Sequence, residues 1–454
     1  MNSATDWFES AATKYSHGEF QGAIADLTKA IELKPDYAAA YCNRANSKSH
    51  IKDYKGAIAD CSVAIDLNQA YAVAYHSRGS AKSRLNDYQG AIADYTKAIE
   101  LNPEDAAVYY SRGLAKKHLE DLRGAITDYT KAIDLKPIYV EAYYGRGLTK
   151  AELRDHHGAI VDFTKAIDLN ANNASSYYGR GNAKAELEDL QGAIADYTMA
   201  IGLKPDYIVA YNNRGLTKAK LRDHQGAIAD LNKAINLKPD FADAYINRGN
   251  TKARLRDHEG AIADLTTAIG LKPNDAVAYY SRGYAKAYIE DSHGAIADYA
   301  KAIELKPDYA DAYLFGGLAM AKLRDYPGAI TAYTKAIELK PNEADLYSIR
   351  GTAKSELRDY QGAIADLSVA IGLNPNDAVA YYSRGNAKDE LGDCQGASAD
   401  YSKAIELKPD YARAYLFRGA AYLYLDQKSK ASSDFKRAIQ LGLRVPQDTL
   451  DACK

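Results

Sequence analysis

A glycine that opens a Gly-Ala-Ile-Ala-Asp-like segment returns every 34 residues along this chain, at Gly22, Gly56, Gly90, Gly124, Gly158, Gly192, Gly226, Gly260, Gly294, Gly328, Gly362 and Gly396, without one insertion. A fixed period of this length marks a stacked array of small supersecondary units rather than a few independent globular domains. With the unit set to begin at Ala4, thirteen units follow (4–37, 38–71, 72–105, 106–139, 140–173, 174–207, 208–241, 242–275, 276–309, 310–343, 344–377, 378–411 and 412–445), flanked by tails 1–3 and 446–454. The repeats take up 442 of 454 residues. Variable loops, where active sites are usually elaborated, are missing, and no stretch remains for a catalytic domain.

Within a unit, positions 1 to 34, the spacing predicts two antiparallel helices, over about positions 1–14 and 17–30. Ten of the twelve prolines, Pro35 and Pro103 among them, fall at position 32, where they stop the second helix. An Asp or Asn often follows at position 33 and is expected to cap the next helix; Asp at position 16, as in Asp53, Asp87 and Asp155, is expected to cap the second helix. Positions 4, 7, 8 and 11 share one face of the first helix. Position 4 is aromatic throughout (Trp7, then Tyr41 to Tyr415), position 8 is Gly or Ala, and positions 20 and 27 are always Ala, which lets helix backbones approach closely. Position 28 is always Ile and position 30 always Leu. Each unit therefore presents more apolar surface than it can bury alone, and stacking on neighbours becomes obligatory.

Charge excludes little and promises little: 58 basic against 60 acidic residues leave a net charge of −2, no global field for phosphates or anionic lipid. The start of the chain carries no basic segment followed by an apolar run, and no stretch approaches the roughly 20 apolar residues that span a bilayer. The expectation is a soluble, cytoplasmic chain without nucleic-acid or membrane partners. Cys42, Cys61, Cys394 and Cys453 form no CxxC pair, and His156, His157, His224 and His258 sit in turns too far apart to share a metal. No cofactor or metal is expected, and no nucleophile or hydrolase motif is present.

Period and small-residue positions together resemble the tetratricopeptide repeat, whose pattern is recognisable as Tyr75, Gly79, Ala91, Tyr95, Ala98 and Pro103. The resemblance implies an all-α fold, a right-handed α-solenoid superhelix of antiparallel helix pairs whose first helices line a concave groove for partner peptides. It implies no catalysis. The chain departs from the family at position 7, usually Leu, which is Arg in eleven units, and at position 11, usually Tyr, which is mostly Lys. Cations on an inward face need partners. Asp at position 23, present in twelve units, is the candidate, so structural ion pairs are expected between Arg112 and Asp128 and between Arg146 and Asp162. Unit ten replaces all three residues together, with Gly316, Met320 and Ala332, as members of one network would be lost. Separate solvation of Arg and Asp at helix edges is the alternative, and unit one, where Asp26 faces Ser10, leans that way.

Positions 2, 5, 9 and 12 vary between units, and recognition would live there. Tyr110, Tyr144, Tyr178, Asn212, Tyr280 and Tyr284 make an aromatic and amide stripe; tyrosine offers large contact area at small entropic cost. Asn182, Asn213, Asn247 and Asn250 have the amides to bond an extended peptide. The competing reading is that these residues only pack between neighbouring first helices. The carboxylate clamp of chaperone-binding relatives is excluded, since position 5 is never Lys and position 6 never Arg. An asparagine ladder at position 6 has only Asn43, Asn213 and Asn247. Unit ten (310–343), with Phe315 and Pro327, reads as a joint, a docking patch or a drifted copy. The last helix, around 428–440, is polar and reads as an end cap, while the tail after Pro446 is too short for a full helix, which leaves end-to-end association open. The expected function is a non-catalytic scaffold that holds protein or peptide partners in its groove. RNA binding and a regulatory or substrate-recruiting subunit of an enzyme encoded elsewhere are the alternatives.

Overall fold

The structure, a computed structural model, describes residues 3–453. Among them are 27 helices and no strand. Helices of 13 and 14 residues alternate, beginning with Ala4–Ser16 and Phe20–Leu33 and ending with Ala412–Tyr424 and the 13-residue Lys428–Gln440. First helices thus occupy positions 1–13 and second helices positions 17–30. The chain divides into two compact units, Met1–Asp230 and Leu231–Lys454, with the division inside the helix His224–Leu237. Within each unit helix pairs pack in succession, the arrangement of an α-solenoid.

Each turn between paired helices is built from three adjacent positions. Position 15 adopts the left-handed region in every repeat, as at Lys52 (φ 65°) and Arg154 (φ 62°), with glycine only at Gly18 and Gly392. That conformation lets the amide at position 16 reach back to the carbonyl at position 11, as Asp53 does to Lys48 at 2.9 Å, a closing bond that satisfies a helix-end carbonyl. The same Asp then caps the second helix: its Oδ1 accepts from the Gly56 amide at 2.9 Å, and Asp155 does likewise for Gly158. Such a cap contributes about 1 kcal/mol.

The cap of the first helix differs from expectation. It lies at position 34, not 33, where Asp105, Asn173, Asp275 and Asp377 use a side chain, as Asp105 Oδ1 accepting from Ala107 at 2.9 Å, and Ser3 caps the opening helix by accepting from the Asp6 amide. Before the other first helices position 34 holds an aromatic residue, Tyr139 and Tyr207 for instance, or Glu343, in each case without a capping bond. The ring is put to other use: Tyr139 packs 5.2 Å from Tyr110 and Tyr207 5.1 Å from Tyr178. Burying an aromatic face is worth more than the roughly 1 kcal/mol of a cap.

The core of each repeat is a small-residue seam. Alanines at positions 20 and 27 are fully buried, and the side chain at position 24 (Tyr129, Phe163, Cys61) fills the space between helices at 0 % exposure. Gly113 is required by that fit, since a Cβ there would stand 2.9 Å from the Tyr129 ring. At the C-terminal end Leu443, Val445, Leu450 and Cys453 gather on Phe435, and the five-residue helix Gln447–Asp451 forms. Leu450 thus covers part of the apolar surface around Phe435.

Candidate functional site

The most regular polar feature is a clasp repeated along the array. In repeat four the Arg112 Nε and Nη2 donate to Asp128 Oδ2 and Oδ1 at 2.9 and 2.7 Å, and Lys116 Nζ stands 2.8 Å from Oδ2. Repeat five has the same geometry: Arg146 to Asp162 at 2.9 and 2.6 Å, with Lys150 at 2.8 Å. Asp128 and Asp162 are 2 % and 1 % exposed, so these carboxylates depend on their partners. The guanidinium also lies over the position-4 ring, Arg112 over Tyr109 at 5.6 Å. In repeat six the hydrogen bond to Asp196 raises the Arg180 pKa further, and the group stays cationic.

A further partner escaped the sequence reading. Arg112 Nη1 donates to Thr96 Oγ1 at 3.1 Å, and Thr96 belongs to the preceding repeat. The same bond runs from Arg146 to Thr130 and from Arg248 to Asn232. Position 25 is Thr, Ser or Asn in each of the first twelve repeats except repeat nine, where it is Ala300. Ala300 directly precedes the repeat that carries Gly316, so the acceptor vanishes where the donor does; that covariation was the available signal. In repeat one Asp26 accepts from Ser10 at 2.6 Å and pairs with Lys14 at 2.7 Å, so this carboxylate too is satisfied.

Much of the expected recognition stripe packs against the second helix of its own repeat. Tyr110, Tyr144, Tyr178 and Tyr280 are half-buried, with rings 5.8 to 5.9 Å from Tyr129, Phe163, Tyr197 and Tyr299. Burial pushes the phenols of Tyr110 and Tyr144 up. Asn212 is 6 % exposed, which takes it off the accessible face, and it donates to Asn213 at 3.1 Å. Asn213 Nδ2 in turn donates to Tyr178 Oη and Asn182 Oδ1, both at 3.0 Å, and Tyr197 Oη donates to Asn182 Oδ1 at 2.8 Å. These amides bond one another across the junction of repeats six and seven. Asn247 and Asn250 are half-buried, and the Asn247 carbonyl accepts from Thr251 at 2.7 Å. Open side chains remain at position 9: Leu114, Leu216 and Leu318 are 39 %, 41 % and 41 % exposed.

One region of the first-helix face holds a real concavity. A cavity of about 950 Å³ is lined by Asn250, Arg254 and Arg256 on one side and by Tyr280, Tyr284, Tyr288 and Phe315 on the other. The three tyrosines stand one helical turn apart, and Tyr284 Oη donates to Tyr288 Oη at 3.1 Å, which raises the Tyr284 pKa. Phe315 meets Tyr284 edge-on at 5.6 Å, and His258 stacks on Tyr288 at 4.7 Å. Tyr280, Tyr284 and Asn250 were legible as candidates; Arg254, Arg256 and Tyr288 were not, although Tyr288 continues the Tyr280–Tyr284 stripe by one more turn.

Cys42 and Cys61 are buried, and burial pushes both thiols up, away from nucleophilic use. Among the described residues no three His, Cys, Asp or Glu side chains gather as metal ligands would, and no helix is long and apolar enough to cross a membrane.

Stacked helix pairs of fixed length, clasped at all junctions but one, define a helical-repeat protein. Sequence profiles described as TPR repeat match residues 13–48, 84–119, 223–255 and 385–426, and tetratricopeptide repeat profiles match 106–139, 144–208, 242–275, 280–344, 317–378 and 412–441. The chain belongs to the tetratricopeptide repeat family. No curated protein matches it significantly. Solved structures similar to it include MamA (32 % identity over 35 % of this chain and 93 % of that one, TM-score 0.35). YrrB, described as a TPR protein with an unusual peptide-binding site, shares 28 % identity over 41 % of this chain and 97 % of its own, with TM-score 0.37. A tetratricopeptide repeat protein from Parabacteroides merdae shares 19 % over 54 % and 98 %, with TM-score 0.40.

Proposed function

We propose that this protein is a non-catalytic scaffold that holds partner peptides or protein segments against the outer face of its first helices. The observation that carries the reading is a set of apolar side chains left open on the first helices: Leu114 and Leu216 at position 9 are 39 % and 41 % exposed, and Val73 and Val209 at position 2 are 52 % and 37 % exposed. Apolar side chains left open in register on one face are suited to a binding surface, and the half-exposed tyrosines beside them add contact area. Family membership supports the same reading. The four unpaired cysteines fit a cytoplasmic location, where thiols stay reduced.

The test is selection of displayed peptides on the immobilised full chain, followed by titration against Leu114→Glu/Leu216→Glu. The control is Val161→Glu, a second-helix residue 66 % exposed. The paired leucine variant is expected to weaken selected peptides by about tenfold or more, and the control to leave them unchanged. Equal binding by all three proteins rules out the first-helix face.

A further inference from the structure

Every junction between successive repeats carries the arginine bond to position 25 of the preceding repeat, save one. At the junction of repeats nine and ten Ala300 and Gly316 replace acceptor and donor, while Met320 and Ala332 replace the rest of the clasp. Phe315, at position 6, lies 6.4 Å from Tyr299 and 6.0 Å from Tyr280, the contacts that Phe417 makes with Tyr401 and Tyr382 where the clasp is intact. The concavity of the first-helix face opens here, and a smaller cavity of about 190 Å³ adjoins it, lined by Tyr284, Tyr288, Phe315 and Tyr299.

Three side chains at this place lack partners. Tyr299 is 1 % exposed, and its hydroxyl has no hydrogen-bond partner. The equivalent hydroxyls of Tyr197 and Tyr401 donate to Asn182 and Asn386, but here position 9 is Tyr284 and offers no such amide. Arg254 and Arg256 line the larger cavity, are exposed, and form no ion pair within 4.0 Å among the described residues. Aromatic walls alone would suit a cation; two unpaired guanidinium groups beside them repel one and favour a carboxylate. The lining spans three successive repeats, which at about 10 Å spacing extend over roughly 20 Å, room for about six extended residues rather than for one small molecule.

We propose that the junction of repeats nine and ten docks an acidic peptide segment that carries an aromatic side chain. The ring enters between Tyr284, Tyr288 and Phe315, and a carboxylate meets Arg254 and Arg256. This inference rests on the scaffold reading above and narrows it to one site and one ligand chemistry.

The experiment measures fluorescence anisotropy of labelled nonapeptides with the full chain at about 0.15 M salt. Three probes are used: alternating Glu and Phe, alternating Lys and Phe, and alternating Glu and Ser. The Glu/Phe probe is expected to saturate, with the other two weaker by about tenfold or more. Arg254→Ala/Arg256→Ala, a change of exposed side chains, and Phe315→Leu, which keeps apolar volume, are each expected to weaken the Glu/Phe probe by about tenfold. Equal binding of the Lys/Phe probe, indifference to the arginine change, or no saturation by the Glu/Phe probe up to about 1 mM overturns the proposal. Peptides selected through Leu114 and Leu216 would survive any of these failures, so the scaffold reading falls or stands separately.

Discussion

The Nη1 of Arg112 donates to the Oγ1 of Thr96 at 3.1 Å, so the cation that neutralises Asp128 inside repeat four also ties that repeat to repeat three. One side chain thus serves folding within a unit and coupling between units. In a linear array stability is close to a sum of repeat and nearest-neighbour terms, and this bond belongs to both.

Removing one partner of the clasp should cost more than removing all of it. Arg146→Ala leaves Asp162, 1 % exposed, with Lys150 as its remaining cationic partner and is expected to destabilise repeat five locally by about 2–3 kcal/mol, read by amide hydrogen exchange. The triple change Arg146→Gly/Lys150→Met/Asp162→Ala, which copies repeat ten, should cost less than the single change. A larger loss in the triple variant would contradict the account of repeat ten as a coherent apolar substitute.

Thr96→Val tests the coupling bond alone. Its loss should lower protection at the junction of repeats three and four by about 1 kcal/mol and leave Arg112 paired to Asp128. Unchanged exchange rates there would show that the contact contributes nothing.

Position 15 holds a non-glycine residue in the left-handed region at most turns, at a cost of roughly 1 kcal/mol each. Gly392→Ala is expected to destabilise its repeat by about that amount, whereas Arg154→Gly should be neutral to mildly stabilising, because glycine relieves strain but loosens the unfolded chain. A denaturation midpoint raised by Gly392→Ala would count against this backbone assignment.

Alkaline pH should unfold the array through its tyrosines. Burial holds Tyr71, Tyr139, Tyr309 and Tyr333 up to about 12, against about 10 for a phenol in the unfolded chain. The unfolded state therefore loses protons first, so this contribution to stability is complete below pH 10 and disappears as pH rises from about 10 to about 12. Tyrosinate absorbance followed alongside helical ellipticity should show a late class of tyrosines ionising only as helix is lost. Full ionisation near pH 10 with helix intact would refute it.

Truncation after Val445 removes Leu450 and Cys453 from the cluster on Phe435. The shortened chain should lose about 1–3 kcal/mol in its last repeat and self-associate more strongly with concentration than the full chain, as sedimentation velocity would report. Identical sedimentation of the two chains would assign the tail no covering role.

The sequence alone determined the period, the two helices of each unit and the position-16 cap, because each depends on residues at constant separations within 34 positions; it offered the Arg–Asp pairing beside separate solvation, and the structure decided it. Tertiary structure decided what those separations do not encode. Whether a tyrosine at position 5 faces a partner or the ring at position 24 depends on how close the next helix stands. So does the fate of Asn212, whose amide was read as a ligand and is bonded to Asn213. The aromatic cavity beside Phe315 came into view only when Tyr288, Arg254 and Phe315, drawn from three repeats, were brought together, since a periodic pattern describes what repeats share and a site is made where they differ.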